Sequence, residues 1–188
     1  DNAATTKVFP EVRDIMVKVM EQDYGNPSSR HTGGIKAEYY INQAAEQIAS
    51  SLKCRPKEII FTSGGTESNT MALIGTAMAN KRAGKHIITT RIEHASVHEP
   101  IAYLEGMGYE TTYLPVNTNG KIEPDTLKEA IREDTLLVSV MHVNNEIGAV
   151  EDIRTLAEVV HRTNPRTLFH VDGIQGYGKY KILPEKTG

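Results

Sequence analysis

Apolar positions recur at helical spacing twice before the chain changes character. From Pro10 to Met20 they fall at Val12, Ile15, Met16, Val19 and Met20, with Pro10 suited to a first helical turn. A second stripe runs from about Gly34 to Leu52 through Ile41, Ala44, Ala45, Ile48 and Leu52. Between the two, YGNPSSRHTGG is rich in turn formers and reads as an ordered loop. After Cys54 the pattern becomes a regular alternation. Glu58–Thr62, His86–Thr90, Glu110–Pro115, Leu136–Val140 and Leu168–Val171 read as buried strands. Thr66–Lys81, Ser96–Met107, Pro124–Ile131 and Ile153–His161 read as helices between most of them. Strands apolar on both faces, alternating with helices, predict an α/β fold with a mostly parallel sheet flanked by helices. The organisation suggested is an N-terminal helix and loop segment over residues 1–32 and a partial large domain over residues 33–188. The tail KILPEKTG reads as a connection toward a further crossover, and a sheet stopped there is expected to expose apolar surface where later strands dock.

Composition narrows the classes of function. The 188 residues carry a formal net charge of -3 with acids and bases intermixed, and no basic stretch is dense enough to follow a nucleic-acid backbone. No apolar run approaches the roughly 20 residues of a membrane span, and no signal-peptide pattern occurs, although the sequence begins at Asp1 without a Met. The single cysteine, Cys54, cannot form an internal disulfide, which fits a reducing compartment. It sits between a helix and a strand pattern and reads as a small linker residue. The histidines and acids show no zinc-ligand spacing, so no metal site is expected.

The candidate chemistry lies where strands end. EIIFT runs into SGGTES, IITTRI into EHAS, LVSVMHV into NNEIG and TLFHV into DGIQ. In an open parallel sheet such ends share one edge, where ligands bind. In TSGGTES (Thr62–Ser68) Gly64 and Gly65 allow close backbone approach, and the first N–H groups of the following helix can hold an anion with help from Ser63 and Thr66. The same residues also make a capping turn that binds nothing. The motif has neither the lysine of a Walker loop nor the glycine spacing of a dinucleotide fold. His94 offers a flat titratable ring for stacking or proton transfer, or is one hydrogen-bonded loop histidine among seven. Asp172 follows an apolar strand, where a carboxylate needs a partner such as a pyridinium nitrogen, or serves as a turn cap. Gln175 can return a hydrogen bond to the same ligand if the chain turns back. Asn145 offers a donor and an acceptor, or forms a turn with Asn144.

Six segments in order, DNAATT (Asp1–Thr6), YGNPSSRH (Tyr24–His31), FTSGGTESN (Phe61–Asn69), EHASV (Glu93–Val97), MHVNNEIG (Met141–Gly148) and HVDGIQ (His170–Gln175), resemble the cysteine desulfurases. More narrowly, they resemble the branch that supplies sulfur for iron–sulfur clusters, within the class V aminotransferase superfamily. The resemblance implies the large domain of a fold-type I pyridoxal-phosphate enzyme, truncated. It implies that Gly65 and Thr66 bind the cofactor phosphate and that His94 stacks on the ring and moves protons. Asp172 would pair with the ring nitrogen, Gln175 would bond the ring hydroxyl, and Asn145 would lie near that hydroxyl and the substrate carboxylate. Asn26, and Asn2 and Ala3 within Asn2–Thr5, would line the substrate entrance.

The family's Ser-x-His-Lys motif, whose lysine anchors the cofactor, does not occur in these residues, nor does its small domain with the nucleophilic cysteine. Lys179, Lys181 and Lys186 lie outside any such motif and read as surface lysines. The resemblance therefore implies the N-terminal part of an enzyme that converts L-cysteine to L-alanine and passes sulfur on as a persulfide. The part alone is expected to be inactive. A cytoplasmic homodimer with a sulfur-acceptor or iron–sulfur scaffold protein as partner is implied, without nucleic acid or membrane. A selenocysteine lyase or other class V aminotransferase, and a non-catalytic partner-binding fragment, are the alternatives.

Overall fold

The computed structural model describes residues 1–187, with side chains as far as Glu185, so the Lys186 side chain lies outside the described residues. Contacts divide the chain into two units, Asp1–Ile60 and a second beginning at Phe61. The helix that begins at Thr32 groups with the residues before it.

In the first unit the two apolar stripes become α1 (Pro10–Glu21) and α2 (Thr32–Leu52), followed by a 3-10 turn at Pro56–Glu58. Helix α1 buries no residue, and its stripe of Val12, Ile15, Met16 and Met20 stays exposed. At the start of α2 the His31 ring accepts the Gly34 N–H at 3.3 Å, satisfying one of the donors that a helix N-terminus leaves over. Lys53 ends α2 in the left-handed region at φ 58°. Cys54 follows, half-buried and free of any disulfide. The loop between the helices is tied by Asp23, which is buried, accepts the Tyr40 hydroxyl at 2.7 Å and pairs with Lys36 at 3.1 Å. Tyr40 first, and Lys36 after it, hold the Asp23 carboxyl below the usual carboxylate range.

In the second unit the apolar runs form β1 (His86–Thr90), β2 (Glu110–Leu114), β3 (Thr135–Met141) and β4 (Leu168–Asp172). All pairings are parallel, in the order β2-β1-β3-β4. The crossovers carry α3 (Gly65–Ala79) ahead of β1, then α4 (Ala95–Gly106), α5 (Pro124–Ala130) and α6 (Ile153–Thr163). Successive strand residues point to opposite faces, so Ile87 and Leu137 join Leu73, Ala77, Val97, Ile101 and Leu104 under α3 and α4. Ile88, Val138 and Val140 join Leu127, Leu156 and Val160 under α5 and α6. The expected α/β fold, a parallel sheet with helices on both faces, is present.

Two local expectations need correction. Glu58–Thr62 is not a strand. Glu58 closes the 3-10 turn, and no described strand offers a ladder to residues 59–62, leaving Ile60 and Phe61 70% and 52% exposed. An apolar run without a neighbour to accept its N–H groups gains nothing from strand pairing. The tail read as a plain connection contains a short helix, α7 (Pro184–Thr187), begun by Pro184 at a position where its missing N–H costs nothing. Among the described residues no helix is long and apolar enough to cross a membrane.

Candidate active site

Asp172 is the last residue of β4 and is buried. Each of its carboxylate oxygens receives a donor. Oδ1 accepts the Ile174 N–H at 3.0 Å, which turns the chain after the strand, and Oδ2 accepts Nδ2 of Asn69 at 2.9 Å. Asn69 lies on the buried side of α3, one turn beyond Gly65, and its amide also donates to Oγ of Ser96 at 2.9 Å. Ser96 Oγ in turn stands 2.9 Å from Nδ1 of His94, the exposed N-cap residue of α4. The termini of α3, α4 and β4 are therefore bonded together at one end of the sheet.

The start of α3 faces the same place. Gly65 is packed so closely on Ile174 that an added Cβ would lie 2.6 Å from its Cδ1. The N–H groups of Gly65, Thr66 and Glu67 have no carbonyl four residues back within the helix, the Ser68 N–H being the first to find one, at Gly64. Ser63 is not one of the anion donors expected from sequence. Its N–H and hydroxyl both go to Glu67 Oε2, at 2.6 and 2.7 Å, and hold the Glu67 carboxyl below its ordinary range. Thr62 donates to or accepts from Ser68 at 2.7 Å. That leaves exposed Thr66 with the first-turn N–H groups as the donor set for an anion. A buried carboxylate one turn away completes a site of mixed polarity. It suits a flat ligand with an anionic phosphate at one end and a cationic ring nitrogen at the other, and pyridoxal phosphate has that form.

Two further loops close the edge. After β1, buried Glu93 accepts the Thr90 hydroxyl at 2.7 Å and the Met141 N–H at 3.1 Å, both at Oε1, joining the ends of β1 and β3. Its Oε2 is buried without a partner. Burial, opposed by those two bonds and reinforced by the charges of Asp172 and Glu151, pushes the Glu93 carboxyl up to about 7. In the NNEIG loop it is Asn144, not Asn145, that is buried. Asn144 donates to the Ile92 carbonyl at 2.9 Å and accepts the N–H groups of Glu146 and Ile147, both at 2.9 Å. It thereby holds Asn145, half-buried, at the end of β3.

Of the residues singled out from sequence, Gly65, Thr66, His94 and Asp172 stand on elements bonded directly to one another, with Asn145 on the adjoining loop. Gln175 is half-buried in the turn that follows Asp172 and accepts Nζ of the exposed Lys179 at 3.2 Å. Asn2, Ala3 and Asn26 belong to the first unit. The Ala3 N–H bonds the Asp1 carboxylate at 3.1 Å, and Asn26 Oδ1 accepts the Ser28 N–H at 2.9 Å to shape the GNPSS turn. Sequence reasoning missed Asn69, Ser96, Glu93 and Asn144 as site builders. A signal existed for Asn69, which shares the four-residue spacing of Leu73 and Ala77 and so falls on the inward face of α3. Ser96 likewise lies in the stripe of Val97, Pro100 and Ile101.

Comparison with known proteins bears on the same residues. Residues 1–188 match the profile of the aminotransferase class-V family. A cysteine desulfurase IscS from Dictyoglomus turgidum is 45% identical over 188 residues, all of this chain and 47% of its own length. One from Methanosarcina thermophila is 45% identical over 99% of this chain and 46% of its own length. A solved NifS-like protein superposes with a TM-score of 0.96 at 38% identity, covering all of this chain and 51% of that one. The structure described as SspA in complex with cysteine superposes at 0.94 with 36% identity, covering 53% of its chain. The chain thus spans about half the length of the relatives it matches.

Proposed function

Because the chain belongs to the aminotransferase class-V family, we propose that it forms the cofactor-cradling part of a pyridoxal-phosphate-dependent cysteine desulfurase, which takes sulfur from L-cysteine, leaves L-alanine and hands the sulfur to an acceptor protein such as an iron–sulfur scaffold. The observation that carries this reading is the hydrogen bond from Asn69 to Asp172. It supports the reading because it ties the buried acid to α3 one helical turn from the N-terminal end proposed to hold the phosphate. Bound there, pyridoxal phosphate supplies an electron sink for a carbanion formed at the α-carbon of an amino acid.

The chain's own residues have separate tasks. Gly65 and Thr66 bind the phosphate through the first-turn N–H groups and the Thr66 hydroxyl. Asp172 holds a proton on the ring nitrogen, its position fixed by a donor on each oxygen. His94 stacks on the ring and exchanges a proton with substrate at Nε2, since Nδ1 faces Ser96. Asn145 and Gln175 orient the ring hydroxyl, and Asn145 receives the substrate carboxylate. In the working enzyme two subunits associate in the cytoplasm. The experiment is to add pyridoxal phosphate to the full-length polypeptide, record absorbance at the edge of the visible range, and assay alanine release from cysteine. A band together with alanine is expected. Neither appearing would refute the proposal.

A further inference from the structure

We propose that Asn69 and Ser96 are positioning residues that link Asp172 to His94 through a hydrogen-bond chain of fixed direction, which turns the Ser96 hydroxyl onto Nδ1 as a second donor beside the backbone N–H and so holds the histidine ring with its Nε2 hydrogen outward. The inference rests on the reading of Asp172 and His94 as two groups addressing one ring, and adds two residues that neither bind that ring nor touch substrate.

The direction follows from chemistry at both ends. A carboxylate oxygen only accepts, so the atom of Asn69 that stands 2.9 Å from Asp172 Oδ2 must be its amide nitrogen. That nitrogen carries two hydrogens, and the second points to Ser96 Oγ at 2.9 Å. Ser96 Oγ therefore accepts from Asn69 and keeps its own hydrogen for donation. At the other end, the backbone N–H of Ser96 only donates, and it meets Nδ1 of His94 at 3.1 Å. Nδ1 must then present its lone pair, which the Ser96 hydroxyl shares as second donor from 2.9 Å. Every link has one permitted sense, from Asn69 outward, and in a neutral His94 the hydrogen is confined to Nε2. Both intermediates are buried and His94 is exposed, so the chain runs from the interior to the ring that faces ligand. Asparagine at 69 is required by this sense. A carboxylate there would accept the Ser96 hydroxyl, turn it away from His94, and place a second acid beside Asp172.

The test uses the full-length polypeptide with nitrogen-15-labelled histidine, first without cofactor, with the His94 signals assigned by comparison with His94→Asn. Circular dichroism verifies that each variant is folded. Wild type is expected to show Nδ1 as the lone-pair nitrogen and Nε2 as the protonated one. Ser96→Ala shifts the Nδ1 signal because one of its two donors is lost, while the backbone N–H of residue 96 keeps the hydrogen on Nε2, and Ser96→Thr, which retains the hydroxyl, restores the signal. Asn69→Asp shifts the same signal although residue 69 does not touch His94. Pyridoxal phosphate affinity should fall by about fivefold in Ser96→Ala and Asn69→Asp, the worth of one hydrogen bond, and hold in Ser96→Thr. Unchanged His94 signals in Asn69→Asp would overturn the proposal, as would shifted signals with unaltered affinity. If wild type fails to bind cofactor, the functional reading falls, while the cofactor-free spectra still decide the chain.

Discussion

Asp172 and Glu93 are both buried carboxyl groups at the C-terminal edge of one parallel sheet, yet the fold treats them differently. Asp172 has a donor for each oxygen, Asn69 on one side and the Ile174 N–H on the other. Glu93 has both of its donors on Oε1 and none on Oε2. A carboxylate with a donor on each oxygen can be kept as a fixed charge, whereas one with a bare, desolvated oxygen is held more cheaply with a proton on it. The difference separates a group suited to face a cationic ring from one that clamps two strand ends and still holds a proton below about pH 7.

The largest expected effect comes from removing the fixed charge. Asp172→Ala should weaken pyridoxal phosphate binding by about 100-fold or more, because it leaves a cationic ring nitrogen without its counter-charge and the Asn69 amide short of an acceptor. Equilibrium titration of the full-length polypeptide measures this. A loss below about threefold would make Asp172 and Glu93 equivalent structural acids.

Next is the pH dependence built into Glu93. Its folded value, about 7, lies above the ordinary 4.5, so between those values the native state binds more protons than the unfolded state. Stability from this group is complete below about pH 4.5, declines as pH rises, and is gone once pH passes about 7. The whole step is worth roughly 3 kcal/mol. Glu93→Gln should abolish that slope, leaving a protein similar to wild type at pH 5 and more stable at pH 8 in urea denaturation. A slope that survives the substitution would assign the titration to another group.

Smaller again is Thr90→Val. It deletes one of the two donors that favour the charged form of Glu93, so it should cost about 1 kcal/mol and move the upper end of the pH window higher. The same denaturation series reads both. The smallest effect on stability is expected from Gly65→Ala. Its Cβ meets only the tip of Ile174, which is 58% exposed and can rotate aside, so less than about 1 kcal/mol is lost. Affinity for the phosphate end of the ligand should drop more visibly than stability, since the added methyl stands beside the first-turn N–H groups.

Much of this was legible in the chain. The strands His86–Thr90 and Leu168–Asp172 are apolar runs too short for helices, and the stripe of Ile153, Leu156, Ala157 and Val160 is helical by spacing alone. Polar residues at strand ends marked the sheet edge on which His94, Asn145 and Asp172 lie. The run at residues 59–62 misled because a strand is defined by its neighbour, and a neighbour is not written in the run itself. Asn69 and Ser96 were hidden for a related reason. Each looks like a polar interruption in an apolar helix face, and only the approach of β4 to α3 and α4 supplies the partners that make burial affordable. Asn144 and Asn145 look alike in sequence, and the Ile92 carbonyl decides which of them is the staple.

A crystal structure of the full-length polypeptide with pyridoxal phosphate would bear on all of this at once. The phosphate should sit on the N–H groups of Gly65 and Thr66, with the ring nitrogen in hydrogen-bond contact with Asp172 and the His94 ring over its face. A cofactor whose phosphate lies at the start of α3 but whose nitrogen points away from Asp172, or one bound elsewhere, would contradict the single shared site.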